Sequence, residues 1–154
     1  MSNDTIVFLD FDGVLNGYEL EPQDPSEVPF PANALHPTPV EHLNVIIRET
    51  EAKVVVTSTW RKLHDQEDLQ SYLEQQGFIG QVIGTTPVLG EREKEIRRIL
   101  RKKEPERFVV IDDEIREEQF NYLVRTSIHG RGLTEAKARQ AIRLLEQQGS
   151  PAEG

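Results

Sequence analysis

Three short runs of apolar residues punctuate the chain: Ile6-Val7-Phe8-Leu9, Val54-Val55-Val56 and Phe108-Val109-Val110-Ile111. None alternates with polar residues, so each predicts a strand covered on both faces, as in a parallel sheet. Between them, apolar residues recur at helical spacing. Val40, Leu43, Ile46 and Ile47 mark one helix, with Thr38 expected as its N-cap, Pro39 at its first position and Glu41 closing a capping box. Leu69, Tyr72 and Leu73 mark a second over Asp65 to Gln76, stopped by Gly77. Ile96, Ile99 and Leu100 mark a third over Glu91 to Lys103. Ala138, Ala141, Ile142 and Leu145 mark a fourth over Thr134 to Gln148. The Val54 strand is expected to run from Lys53 to Thr57 or Ser58. Two further strands are expected at Phe78 to Ile83 and, more weakly, Leu123 to Thr126.

Strands alternating with helices predict an α/β fold with right-handed crossovers. In such a sheet every strand delivers its carboxyl end to the same edge, where ligands bind. The polar residues just past the strands are therefore brought together: Asp10 and Asp12 after the first, Thr57-Ser58-Thr59 after the second, Asp112-Asp113 after the fourth. Asp10 and Asp12, one residue apart, repel each other unless a cation or a shared proton intervenes. A hard divalent metal answers that need.

One stretch fits neither period. Six of the nine prolines fall between Pro22 and Pro39, a density that precludes a regular helix or a central strand. Residues 17–37 are expected to form an extended, stiffened loop over the end of the first strand. The chain has 154 residues, enough for one domain over residues 1–149 with 150–154 as a tail. With no cysteine there is neither a disulfide framework nor a zinc–thiolate site. No apolar run approaches the roughly 20 residues of a membrane span, and the amino terminus lacks a signal peptide's basic start, so a cytoplasmic protein with no membrane partner is expected. A net charge of -9 argues against general nucleic-acid binding, which relies on cations to neutralise phosphates. The basic residues between Arg97 and Arg107 read as a solvated helix face, with local phosphate steering as the functional counterpart.

Asp10-Phe11-Asp12-Gly13-Val14 after an apolar strand, the hydroxyl cluster at 57–59, a basic helix start and Asp112-Asp113 together resemble the four-part signature of the haloacid dehalogenase (HAD) superfamily, over roughly residues 5 to 145. The resemblance implies a three-layer Rossmann-like α/β fold, with about five parallel strands in the order 3-2-1-4-5. Little room is left for a cap domain. It implies Mg²⁺-dependent phosphatase chemistry: Asp10 as the nucleophile that becomes an aspartyl-phosphate, and Asp12 as general acid and then base. The metal would be held by Asp10, the backbone carbonyl of Asp12, and Asp112 or Asp113.

The second motif requires a hydroxyl. Ser58 is favoured over Thr57, because Trp60 and Arg61 then fall into a Ser-x-Trp-Arg-like sequence. The third requires a cation. Lysine is usual in the superfamily, which keeps Lys94 open, but Arg92-Glu93-Lys94-Glu95-Ile96 matches an Arg-x-x-Glu-Ile pattern, and Arg92 shares the inward helix face with Ile96, Ile99 and Leu100. Thr57, Thr59, Arg61 and Lys94 are expected to contact substrate. Trp60 is expected either to stack on a base or to pack in the core or at the rim. The four histidines lack metal-ligand spacing, and Gly130 to Thr134 reads as a turn with Thr134 as N-cap. Two of these motifs look like the HAD phosphatase domains of RNA repair proteins, related to the phosphatase half of polynucleotide kinase–phosphatases. The phosphorylated partner is thus a nucleotide or a nucleic-acid end. A small-metabolite phosphomonoesterase and a fold-keeping binding module are the competing readings.

Overall fold

The computed structural model describes residues 4–149. Five strands, β1 (Thr5–Leu9), β2 (Lys53–Val56), β3 (Val82–Thr85), β4 (Arg107–Asp112) and β5 (Leu123–Arg125), form one sheet in the order β3-β2-β1-β4-β5. Every pairing is parallel. Four helices connect or follow them: α1 (Pro37–Thr50), α2 (Gln66–Gln75), α3 (Arg92–Lys103) and α4 (Glu135–Gly149). This is the three-layer α/β arrangement that the alternation of strand and helix predicts. Among the described residues no helix is long and apolar enough to cross a membrane.

Side-chain alternation along β1 divides the core. Val7 and Leu9 pack with Val54, Val56, Val109 and Ile111 against the apolar stripes of α1, α2 and α4. Ile6 and Phe8 face the other way, with Val55 and Val110, against Ile96 and Ile99 of α3 and the loop residues Ile115 and Phe120. The central strands are thus apolar on both faces because both faces are covered.

Two element boundaries move. α1 begins at Pro37, not after Thr38: His36 is the N-cap, its Nδ1 accepting from the Thr38 amide at 3.2 Å, and Pro37 takes the first helical position. Burial lowers the pKa of His36, which favours the neutral ring this cap requires. Glu41, expected in the capping box, instead bonds Arg48 and Asn44. Phe78 does not start β3. Its amide donates to Leu73 O at 3.0 Å and that of Gly77 (φ 97°) to Glu74 O at 2.9 Å, closing α2 with a Schellman turn whose trailing residue is apolar by design of the motif. β3 therefore starts four residues later, at Val82.

The proline-rich segment holds a single 3-10 turn, Ala32–Ala34, before α1. Among the described residues no inserted domain interrupts the path from β1 to α1. The loop is fastened from two sides: His36 N donates to Leu15 O at 2.9 Å, and Tyr18 N to Ile128 O at 2.8 Å. Leu133 N donates to Val14 O at 2.7 Å. Gly132 (φ 68°) allows that approach, since a Cβ there would collide with the Val14 carbonyl. Thr134 Oγ1 accepts from Lys137 N at 3.3 Å at the start of α4. The expected tail, 150–154, lies outside the described residues.

Candidate active site

The sheet's hydrogen-bond ladder runs one residue past its strands. Asp10 N donates to Ile111 O (3.1 Å), Thr57 N to Leu9 O (2.9 Å), Thr86 N to Val56 O (3.1 Å) and Thr126 N to Asp112 O (3.1 Å). Asp10, Thr57, Thr86, Asp112 and Thr126 are all buried, so five polar side chains are fixed along one apolar edge. Thr126 Oγ1 donates to Gly13 O at 2.6 Å, fastening the turn after Asp10. Gly13 itself (φ 85°) is required, because a Cβ would collide with the carboxylate of Asp113.

The carboxylates of Asp10, Asp112 and Asp113 each offer an oxygen within 4.8 Å of the others. Among the described residues one cation forms ion pairs with them. Arg92 Nη1, from the first turn of α3, lies 2.7 Å from Asp112 Oδ2 and 3.1 Å from Asp10 Oδ2. Asp112 is the better served: its Oδ1 also accepts from the amides of Glu114 (2.7 Å) and Ile115 (3.0 Å). Asp10 is held by its neighbour's amide, Phe11 N at 2.9 Å, by Arg92, and by a hydrogen bond shared with the carboxyl of Asp113. Burial and then the charge of Asp112 consequently outweigh Arg92 and push its carboxyl up to about 7. Asp113 is raised for the same two reasons. Burial works against the Arg92 charge, but Asp10 and Asp112 together hold its guanidinium above the ordinary arginine value. Three carboxyls against one guanidinium is a donor set that fits a hard divalent cation.

Lys94 stands apart from this cluster, 69% exposed and paired with Glu91 at 3.5 Å. Asp12 also stands apart from the three-acid group: its carboxylate is exposed and held by two donors, Asn16 Nδ2 on Oδ1 at 3.1 Å and Trp60 Nε1 on Oδ2 at 3.3 Å. Asn16 Oδ1 in turn accepts from Gly13 N at 2.8 Å, so Asp12 is oriented by its own turn and by the segment after β2. Trp60 makes T-shaped contacts with Phe11 and Tyr72, with ring centroids 5.3 and 6.2 Å apart.

The residues after β2 separate into four roles. Thr57 Oγ1 is buried and has no hydrogen-bond partner. Ser58 Oγ accepts from Trp60 N at 3.2 Å, capping the 3-10 turn Thr59–Lys62. Thr59 is exposed and lines a cavity beside Asp12. Arg61 corrects the expectation of a substrate contact, because its donors are consumed internally. They go to the carbonyls of Thr57, Ser58, Thr86 and Pro87 and to Glu95 Oε1 at 2.8 Å, and the side chain is 3% exposed. Burial lowers its pKa, opposed by Glu95. Glu95 Oε2 accepts from the amides of Leu89 and Gly90 (2.8 and 3.2 Å), so this pair ties the ends of β2 and β3 to α3, the helix that carries Arg92.

A family model described as the HAD domain in Swiss Army Knife RNA repair proteins matches residues 6–138, most of the chain. No curated protein and no solved structure gives a significant match.

Proposed function

This chain belongs to the family of HAD domains in Swiss Army Knife RNA repair proteins, and we propose that it hydrolyses phosphomonoesters of nucleotides or polynucleotide ends, with Mg²⁺ as cofactor. Membership supports phosphatase-type chemistry. The observation that carries the finer reading is the deficit of positive charge at Asp10, Asp112 and Asp113, which among the described residues form ion pairs with Arg92 only. Asp10 and Asp112 or Asp113 would hold the ion, together with the backbone carbonyl of Asp12. When bound it would offset the acids' repulsion and neutralise phosphoryl oxygens.

The chain's own residues supply the rest. Asp10 in its carboxylate form attacks phosphorus, and the P–O bond to the leaving alcohol breaks. Asp12, reached from solvent and oriented by Trp60 and Asn16, gives its proton to the leaving oxygen. It then takes one from the water that hydrolyses the aspartyl-phosphate, releasing phosphate and restoring Asp10. Arg92 neutralises charge around the phosphoryl group. The unpartnered hydroxyl of Thr57 has a free proton to donate to a phosphoryl oxygen. Ser58 is the second candidate, because its oxygen accepts from Trp60 N and its proton is also available.

The family's description supports an RNA-related substrate, while the charge of -9 favours a mononucleotide or a chain end over a long polyanion. The test offers purified protein and Mg²⁺ an aryl phosphate, mononucleotides, a small metabolite phosphate, and 3′- or 5′-phosphorylated oligonucleotides, beside Asp10→Asn. Turnover of nucleotides or ends, lost in the variant, is the expected result. No turnover of any substrate overturns the phosphatase reading, and turnover of the metabolite phosphate alone overturns the nucleotide one.

A further inference from the structure

Two cavities border the acids, and their chemistry differs. One, of about 270 Å³, is lined by Glu91, Glu93, Asp112 and Glu114 around Arg92. The other, of about 290 Å³, is lined by Asp12, Phe30, Pro31, Trp60, Leu63 and His64. A polyanionic strand is repelled by the carboxylates of the first cavity. The second presents the apolar groups: Phe30 is 82% exposed and Leu63 85%, the two most exposed large apolar side chains among the described residues, and both line it.

We infer that the Phe30–Trp60–Leu63 cavity seats the base of the nucleoside that departs from the phosphate. This rests on the phosphatase reading, in which Asp12 protonates the leaving oxygen. The remainder of the leaving alcohol must then lie next to Asp12, and the apolar cavity is the one that Asp12 lines. Its volume is at the lower end of small-molecule sites, roughly 300 Å³ upwards, the size of one base and not of an oligonucleotide.

Trp60 is suited to the task because it does not have to be ordered on binding. T-shaped contacts with Phe11 and Tyr72 and the hydrogen bond to Asp12 already fix its ring. Base stacking on aromatic side chains also solves the charge problem. A protein of net charge -9 gains little from the phosphate backbone, whereas stacking is indifferent to it. The base must be unpaired to enter, so single-stranded ends and mononucleotides are accepted and blunt duplex ends are refused.

Trp60 is the chain's single tryptophan, so intrinsic fluorescence reads this cavity directly. Asp10→Asn protein, which removes the nucleophile, is titrated with adenosine, adenosine monophosphate and glycerol phosphate. Saturable changes in Trp60 emission are expected with the first two and not with the third. Phe30→Ala and Leu63→Ala, both on exposed side chains, are expected to weaken adenosine monophosphate binding about tenfold while keeping the native melting temperature. Flat emission with adenosine, or an unaltered Kd in both variants, overturns the subsite. The adenosine arm needs neither metal nor turnover. A phosphatase with flat emission therefore loses the subsite alone, and a protein without any turnover loses the phosphatase reading while adenosine still decides the cavity.

Discussion

Arg61 and Arg92 both reach the carboxyl edge of the sheet and both meet buried carboxylates, yet only one of these meetings balances its charge. Arg61 is ion-paired to one acid, Glu95, and its other hydrogen bonds go to carbonyls. Arg92 faces Asp10 and Asp112, with Asp113 close behind. The first network is complete and closed to solvent. The second is short of positive charge by design of its residues and borders a cavity. The difference separates what holds α3 in place from what α3 is held in place for.

The contrast breaks most sharply at Asp10. Asp10→Asn is expected to cut kcat at least about 10⁴-fold, over 5 kcal/mol of barrier. Because it also removes one of three repelling acids, metal-free protein should melt higher at pH 8, as differential scanning calorimetry would show. Glu95→Ala should do the reverse. Leaving Arg61 buried and unpaired costs about 3–5 kcal/mol of stability, on the order of 10 °C in melting temperature, and kcat per folded molecule should fall far less than in Asp10→Asn. A kcat loss as large as that of Asp10→Asn would erase the distinction between the networks.

Arg92→Gln is expected to lower kcat about 10²-fold, the usual scale for one transition-state donor, with a smaller thermal effect than Glu95→Ala. The smallest effect is on pH dependence. Between its ordinary value of 3.8 and about 7, Asp10 keeps a proton in the fold that the unfolded chain has released. Its contribution to stability is therefore present at low pH and lost as pH rises through about 7. Mg²⁺ requires the deprotonated carboxylate, so it should raise the melting temperature by on the order of 5 °C at pH 8 and by less at pH 5.5. An equal shift at both would refute the charge-deficit account.

Much of this site was legible because strand ends are legible. Continuous apolar runs declared β1, β2 and β4, and the parallel sheet did the rest, bringing Asp10 and Asp112 together across about a hundred residues. Thr86 and Thr126 escaped notice since their strands are short and weakly apolar. Glu95 stood in the sequence as the Glu of the Arg-x-x-Glu-Ile pattern, but its role there did not; its contacts with Arg61, 34 residues away in sequence, and with the Leu89 and Gly90 amides show it as a buried tie. Arg61 misled for the same reason, as a cation beside a hydroxyl cluster suggests substrate until its carbonyl partners are seen. The start of β3 was obscured by Phe78, whose burial serves the end of α2.

The amides that extend the ladder past the strands have a dynamic corollary. Protons on Asp10, Thr57, Thr86 and Thr126 exchange only when the sheet itself opens, so deuterium uptake around them should match the slowest core peptides of β1 and β4. The residues at this edge then have no private melting of their own. Heat should remove activity and fold in one step, and a stabilising substitution in the remote α1–α4 interface should move both by the same number of degrees.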